Sequence, residues 1–94
     1  MTRTVNILIS GRVQGVYFRR FTKNKAQDLG IKGTIRNRED GRVEIIAQAE
    51  ADILEPFIQW CHKGPITARV DLVELCEIQA NEAEFTLFEI IGSM

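Results

Sequence analysis

Alternation of apolar and polar residues predicts a chain of strands separated by two helices. Segments that alternate or are continuously apolar and rich in β-forming residues are 4–10, 31–37, 42–49, 68–78 and 84–91. Such runs are typical of strands in a sheet with one buried face. Asp40–Gly41 lies between the second and third segments and is a strong hairpin signal. The pattern therefore predicts five strands, two of them joined as a hairpin.

A different spacing marks the two helices. In the first, a stripe recurs every three or four residues: Phe18, Phe21, Thr22, Lys25, Ala26 and Leu29. We expect this helix to end at Gly30. Residues 51–64 form the second, with an inward stripe of Ile53, Phe57, Trp60 and Cys61. Pro56 removes an N–H in its second turn, so we expect this helix to begin late or to bend there.

The order of elements defines the fold class. A β-α-β-β-α-β order with a last strand predicts a ferredoxin-like split β-α-β sandwich of the α+β class. We expect an antiparallel sheet with two helices on one face, and a hairpin strand filling the gap under the first crossover. No linker, repeat or low-complexity tract interrupts the chain. Residues 1–94 are therefore expected to form a single domain.

Charge is balanced over the chain but not along it. The net charge is −1, which argues against a nucleic-acid partner. Five basic residues nevertheless fall within one short stretch: Arg12, Arg19, Arg20, Lys23 and Lys25. That cluster suits a small anionic ligand better than a long polyanion. The apolar run that ends before Gly11 is too short for a signal segment or a membrane span, so we expect a cytoplasmic protein with no membrane partner.

Cysteine and histidine chemistry is poorly supported. Cys61 and Cys76 lack C-x-x-C spacing and have only His62 nearby, whereas a zinc site needs about four ligands. We expect no metal, and reduced, partly buried thiols with a disulfide as the lesser alternative. Cys61 and His62 are helical neighbours about 100° apart, so they do not form a catalytic dyad. We expect His62 to face solvent.

The segment SGRVQGVYFRR (10–20) is the strongest candidate for chemistry. A strand ending at Ser10, a glycine-containing loop and a helix starting near Tyr17 would aim free N–H groups at one point, which attracts anions. Arg19, in the first helical turn, can donate two parallel hydrogen bonds to phosphate oxygens. From the residues alone, a structural turn with solvated arginines is an equally good interpretation. Asn37, by itself, is better explained as a residue that precedes a hairpin turn.

Longer motifs carry a family resemblance. GRVQGVYFR (11–19), then GTIRNREDGRVE (33–44), GPITARV (64–70) and a closing FEI (88–90) resemble the acylphosphatase family over almost the whole chain. Members of that family are small ferredoxin-like enzymes that hydrolyse carboxyl-phosphate mixed anhydrides without a metal or cofactor. The resemblance implies the same fold, a hydrolase activity and no cofactor for this chain.

The resemblance also assigns residues. It places a phosphate-binding loop on Gly11, Arg12, Val13, Gln14, Gly15 and Val16. The essential arginine falls on Arg19, and the asparagine that holds the attacking water falls on Asn37. Arg20 differs from Arg19 by about 100° around the helix, so we expect it at the surface or acting at longer range. Two positions depart from the family pattern: Tyr17, where a small residue is common, and Thr34, where an aromatic residue is common. We expect Tyr17 to narrow or line the mouth of the site.

The expected function is that of a free-standing acylphosphatase acting as a monomer. Its substrate would be a small acyl phosphate, and orthophosphate would be its product and competitive inhibitor. One alternative is a non-catalytic ferredoxin-like module that binds a small anion or a protein. Another is the acylphosphatase-like domain of larger hydrogenase-maturation proteins, which the lack of zinc-finger cysteines and of a further domain makes less favoured.

Overall fold

The computed structural model describes residues 1–79 and 85–92. Its elements are β1 (Thr2–Arg12), α1 (Phe18–Leu29), β2 (Lys32–Asn37), β3 (Val43–Glu50), α2 (Ala51–Lys63), β4 (Arg69–Ile78) and β5 (Phe88–Ile90). Both helices pack on a five-stranded sheet, which confirms the ferredoxin-like α+β prediction. The first helix ends at Gly30 in the left-handed conformation, also as predicted.

The strand order is β4-β1-β3-β2-β5. Strand β3 lies between β1 and β2, so a hairpin strand fills the crossover gap as predicted. The expectation of a wholly antiparallel sheet is wrong, because β5 runs parallel to β2. Its backbone is joined to β2 by Gly33 N–H to the Leu87 carbonyl (2.9 Å) and Ile91 N–H to the Ile35 carbonyl (3.0 Å). Strand β5 lies at the edge of the sheet beside β2, and β4 lies at the opposite edge. Because β5 is parallel to β2, it runs in the opposite direction to β4.

Alternate strand residues and one stripe of each helix form the core. The buried strand residues include Val5, Ile7, Ile9, Ile35, Val43, Ile45, Ala47 and Phe88, and the buried helix residues are Phe18, Thr22, Ala26, Leu54, Phe57 and Cys61. In each helix, the buried stripe in the structure differs from the predicted stripe. Phe21 is 41% exposed, because α1 buries residues four apart and Phe21 lies one step off that line. In α2, Leu54 is buried instead of Ile53, which is only partly buried.

Strand β1 is longer than predicted at its carboxyl end. It does not end at Ser10, because a bulge between Ser10 and Gly11 lets pairing with β4 continue through Arg12. A Cβ at Gly11, whose φ is 131°, would overlap the carbonyl oxygen of Arg69. Only glycine fits this close strand approach. The loop that leads into α1 therefore begins at residue 13 and not at residue 11.

Two further expectations are corrected by backbone and exposure. The last strand covers only Phe88–Ile90, whereas residues 85–87 are not extended into the ladder and residue 84 lies outside the described residues. Helix α2 begins at Ala51, so of the two expectations for Pro56 the late start is wrong, and the bend stays a prediction. The carbonyl that Pro56 leaves without a partner belongs to Asp52, and both residues are exposed to solvent.

The cysteines are free, which agrees with the expected reduced thiols. Cys61 is buried, and burial raises the pKa of its thiol. Cys76, expected to be partly buried, is exposed on β4. Among the described residues, no helix has the length and apolar character needed to cross a membrane.

Candidate active site

The loop of residues 13–17 connects β1 to α1 and is anchored at several points. Val13 and Val16 are buried in the core, so the loop is pinned by two side chains three residues apart. The Thr67 hydroxyl donates a hydrogen bond to the Val16 carbonyl at 2.7 Å. Gly15, with φ of 74°, supplies a left-handed conformation between the two valines. These contacts hold the backbone N–H groups of the loop in a fixed arrangement before any ligand binds.

Gln14 ties this loop to the β2–β3 hairpin. Its Nε2 donates to the Arg38 carbonyl at 2.8 Å and to the Arg42 carbonyl at 3.0 Å. Both side-chain N–H bonds are then used. A contact from Gln14 to phosphate, as the resemblance implies, must therefore come from its backbone. The side chain instead connects the loop to the hairpin that carries Asn37.

The start of α1 has the features of an anion site. Tyr17 is the N-cap and adopts a left-handed conformation (φ 62°, ψ 21°), with no side-chain cap and no acidic residue in the first turn. Arg19 and Arg20 occupy that turn instead. Cations are unfavourable at the positive end of a helix, and the first N–H groups have no partners within the helix. By contrast, α2 places Asp52 in its first turn. An anion at the start of α1 would offset this local excess of positive charge.

A cavity of about 360 Å³ opens beside this helix start. It is lined by Val13, Gly15, Tyr17, Phe18, Arg19, Arg20, Asn37 and Ile90. Four residues predicted to form the site thus come together around one cavity: Val13, Gly15, Arg19 and Asn37. The other four predicted residues do not line it: Gly11 and Arg12 are paired in the β1–β4 ladder, Gln14 bonds the hairpin, and Val16 is buried.

Three polar side chains of the cavity, those of Arg19, Arg20 and Asn37, have unpaired groups within the described residues. The Oδ1 atom of Asn37 is buried and makes no hydrogen bond within the described part of the chain. Arg19 is half-buried and Arg20 exposed, and neither forms an ion pair there. The arginines that do pair with carboxylates are Arg3, Arg36, Arg38, Arg42 and Arg69. Unpaired polar groups gathered at one cavity indicate a site for a polar ligand.

The charge of Asp40 on the neighbouring hairpin is neutralised by arginines of the same hairpin. Asp40 accepts hydrogen bonds from the Arg42 side chain (2.8 Å) and backbone N–H (3.1 Å), which hold the pKa of its carboxyl well below its usual range. Arg42 Nε also donates to this carboxylate at 3.0 Å, and Arg38 adds a fourth bond. Asp40, at the tip, is therefore engaged by the arginines next to it. No carboxylate is among the residues that line the cavity, which leaves its field positive.

Sequence reasoning missed several contributors to the site. Arg20, expected at the surface or acting at longer range, is exposed but also lines the cavity. Ile90 reaches the cavity from β5, and Thr67 fixes the loop from the GPITARV segment. Tyr17, which departs from the family pattern, lines the cavity as expected. The identity of GPITARV as a motif was a signal for Thr67, but only the fold shows which atom its hydroxyl contacts.

The residues that line the cavity include no histidine and no metal-binding cluster. No group of three or more His, Cys, Asp or Glu side chains that could hold a metal ion occurs in residues 1–79 and 85–92. His62 is exposed near the end of α2, as predicted. Its Nδ1 lies 3.0 Å from the Ile58 carbonyl. The cavity therefore offers guanidinium, amide and backbone N–H groups to a ligand.

Fold and site together define a class: a ferredoxin-like domain with an arginine-lined cavity at the junction of β1 and α1. The acylphosphatase family model matches residues 5–90. An acylphosphatase from Marinobacter nauticus is 49% identical over 83 residues, covering 88% of this chain and 89% of the relative. The chain belongs to the acylphosphatase family, a family of hydrolases.

Solved structures agree with this assignment. The crystal structure of acylphosphatase from Bacillus subtilis has a TM-score of 0.89 at 33% identity, covering 97% of this chain and 99% of that one. Full-length HypF, in a phosphate- and nucleotide-bound form, also has a TM-score of 0.89, at 31% identity. This chain corresponds to 12% of that larger protein. The fold is thus shared by free-standing acylphosphatases and by one part of a larger protein.

Proposed function

We propose that this protein hydrolyses acyl phosphates to a carboxylate and orthophosphate. The observation that carries the proposal is the cavity at the start of α1. Arg19 and Asn37 both line it, although 18 positions separate them in the sequence. Arg19 comes from a helix and Asn37 from the end of a strand. A purely structural turn gives no reason for this meeting of an unpaired cation and an unpaired amide.

Arg19 and the loop hold the phosphoryl group. The guanidinium donates parallel hydrogen bonds to two phosphoryl oxygens, and the N–H groups of the loop and first helical turn supply more. These donors are fixed by the buried Val13 and Val16. Preorganised donors stabilise the charge that spreads over the phosphoryl oxygens in the transition state. Gly11 and Arg12 retain a role in this proposal as the base of the loop.

Asn37 orients the attacking water. Its amide is a negligible base, so it acts by holding water in line with the bond that breaks. The water oxygen bonds to phosphorus while the bond between phosphorus and the acyl oxygen breaks. The carboxylate leaves with the electron pair of that bond, and the proton from water is released to solvent or to the phosphate product. A carboxylate is a good leaving group, so this reaction needs neither a general acid nor a metal ion.

The experiment is hydrolysis of benzoyl phosphate in the presence of EDTA. Wild type should turn over the substrate, and Arg19→Ala should lose about 100-fold or more of the activity, as when a transition-state donor is removed. Arg19→Lys should recover only part, because an ammonium does not reproduce the planar fork. Arg3→Ala, which removes an arginine paired with Glu77 away from the cavity, is the matched control. Circular dichroism verifies folding of each variant.

A well-folded wild type without turnover would contradict the proposal. It would favour the second candidate, a module that binds a small anion without catalysis, which the same unpaired cations support. Competitive inhibition by orthophosphate separates both from a structural loop, which would give no such effect.

The finer features are proposals as well. We propose a single domain that acts as a monomer in the cytoplasm on a small-molecule substrate, without nucleic-acid or membrane partners and without a metal. The net charge of −1 and the small size of the cavity support a small anionic ligand. Light scattering coupled to size-exclusion chromatography tests the monomer, and a dimeric mass would contradict it.

A further inference from the structure

Arg20 is a second cation on the cavity, and the mechanism above does not use it. Arg19 and Arg20 are consecutive residues of α1 and lie about 100° apart around the helix, yet both line the same cavity. Arg19 is half-buried, whereas Arg20 is exposed. Of the two arginines that line the cavity, Arg20 is therefore the more accessible to solvent.

The charge of Arg20 is not balanced by nearby acid. It makes no ion pair or hydrogen bond within residues 1–79 and 85–92, and no carboxylate lines the cavity. The acidic residue of β5, Glu89, pairs with Thr34 and alternates with Ile90, so its side chain lies on the other face of the sheet from Ile90. The phosphoryl group is already met by Arg19 and by backbone N–H groups. Arg20 is thus an excess positive charge at the cavity, where no carboxylate balances it.

An apolar surface adjoins this excess charge. Tyr17 is 70% exposed and Ile90 is 40% exposed, and both line the cavity. Tyr17 is the one residue other than glycine with positive φ in the described part of the chain. For a bulky residue this conformation is unfavourable, and such strain collects at ligand sites. The apolar surface is suited to contact carbon atoms of a bound molecule.

We infer that Arg20, Tyr17 and Ile90 form an acyl-group subsite that selects acyl phosphates with a second anionic group on a short acyl chain. Arg20 pairs with that second group, a carboxylate or a phosphoryl group, while Tyr17 and Ile90 contact the carbons between it and the acyl phosphate. The inference rests on the proposed function, because it takes the phosphoryl group to be held by Arg19.

The test compares substrates that differ only in the distal charge. Succinyl phosphate and butanoyl phosphate have acyl chains of the same length, but only the first ends in a carboxylate. A third probe, 3-phosphonopropanoyl phosphate, carries a phosphonate in place of that carboxylate. The measured quantity is kcat/KM for each probe at fixed ionic strength, because exposed ion pairs are screened by salt.

Wild type should prefer a charged probe over butanoyl phosphate, and Arg20→Gln should lower kcat/KM for that charged probe by about tenfold. Arg20→Gln should leave butanoyl phosphate within about twofold, and Arg20→Lys should restore part of the preference. The larger of the two charged preferences identifies the carboxylate or the phosphoryl group as the second anion. Lys23→Gln removes the same charge from the same helix at a residue that does not line the cavity, so it should change none of the ratios.

Three results would overturn the subsite. An equal loss on all three probes would mean that Arg20 acts on the phosphoryl group, and no loss on any probe would mean that it acts on neither. A change with Lys23→Gln as large as with Arg20→Gln would reduce the effect to general attraction.

A binding measurement separates the subsite from the reaction. In 4-oxo-5-phosphonopentanoate and 2-oxopentylphosphonate, a methylene group replaces the bridging oxygen, so neither can be hydrolysed as an acyl phosphate. Calorimetry should show tighter binding of the first, and Arg20→Gln should abolish the difference. If this held while wild type hydrolysed no acyl phosphate, the proposed function would fail and the subsite would stand. If both phosphonates bound equally well to wild type, the subsite would fail, whatever the turnover.

Discussion

Single residues of this protein depart from ordinary local preferences in two different ways. Tyr17 and Asn37 both border the cavity: one has a strained backbone, and the other has a buried, unpartnered amide oxygen. Their costs are explained by binding, because a ligand uses the groups that they present. Thr22 is different, since its hydroxyl is fully buried on α1, has no partner among residues 1–79 and 85–92, and does not line the cavity. Ligand binding at the cavity therefore does not explain the free-energy cost of burying this hydroxyl.

Replacing Thr22 therefore separates stability from function. Thr22→Val keeps the shape of the side chain and removes the unpaired hydroxyl, so the free energy of unfolding should rise by about 1 kcal/mol with activity unchanged. The measurement is urea unfolding followed by circular dichroism.

Thr4→Val is the matched control for this change. The Thr4 hydroxyl is also buried but accepts a hydrogen bond from Gln48 at 2.9 Å, so the same substitution there should destabilise by a similar amount. Equal destabilisation by both variants would contradict the assignment of the Thr22 hydroxyl as unsatisfied.

At the level of elements, the site is formed by the loop between β1 and α1 together with the β2–β3 hairpin. The loop between β1 and α1 supplies donors, and the β2–β3 hairpin supplies Asn37. Gln14 connects them through two hydrogen bonds to hairpin carbonyls. The sequence predicted both units and their residues, but not the bonds between them, because a side chain 24 positions from its partner gives no periodic signal.

Loss of this connection should weaken catalysis more than stability. Gln14→Ala leaves each hairpin carbonyl with a backbone partner, so we expect destabilisation of about 1 kcal/mol and a fall in kcat of about tenfold or more as loop and hairpin lose register. Gln27→Ala, at an exposed position of α1, is the control. Unchanged kcat in a folded Gln14→Ala would show that the loop is positioned by its valines alone.

The open face of the sheet adds a pH dependence. Burial acts to raise the pKa of Glu44, but hydrogen bonds from Asn6 and Arg36 and the charge of Arg38 outweigh it and lower that pKa below its ordinary value. The contribution of Glu44 to stability is thus present above the pKa of the unfolded chain and is lost as pH falls through the folded pKa.

Glu44→Gln should therefore destabilise the protein at neutral pH, and the difference from wild type should shrink as pH is lowered from about 7 to about 3. Chemical unfolding at each pH measures it. Glu55→Gln, an exposed carboxylate on α2 that accepts no hydrogen bond in the described part of the chain, should show a smaller effect. A difference between Glu44→Gln and wild type that grew toward acid would contradict the assigned shift.

For the whole molecule, the fold was more predictable than the site. Periodicity, glycine signals and element order were sufficient for the helices, the hairpin and the strand between β1 and β2. The bulge that carries β1 through Arg12 was not predictable, because it depends on the close approach of Gly11 to Arg69 on β4. The direction of β5 likewise depends on which edge it joins.

Site prediction divided along the same line. Arg19 and Asn37 were named from motifs and do line one cavity, whereas Arg20 and Ile90 reach it only through the packing of α1 and β5. Motifs thus identified residues that bear chemistry, and the three-dimensional arrangement added those that shape the space around them.

In the proposed mechanism, Arg19 holds the phosphoryl group while Asn37 directs the water. The most direct test measures kcat on benzoyl phosphate and the orthophosphate inhibition constant for Asn37→Ala, with Asn24→Ala at an exposed position of α1 as control. We predict that kcat falls by about 100-fold while the inhibition constant changes by no more than about threefold. Loss of phosphate inhibition with turnover preserved would contradict this division of roles.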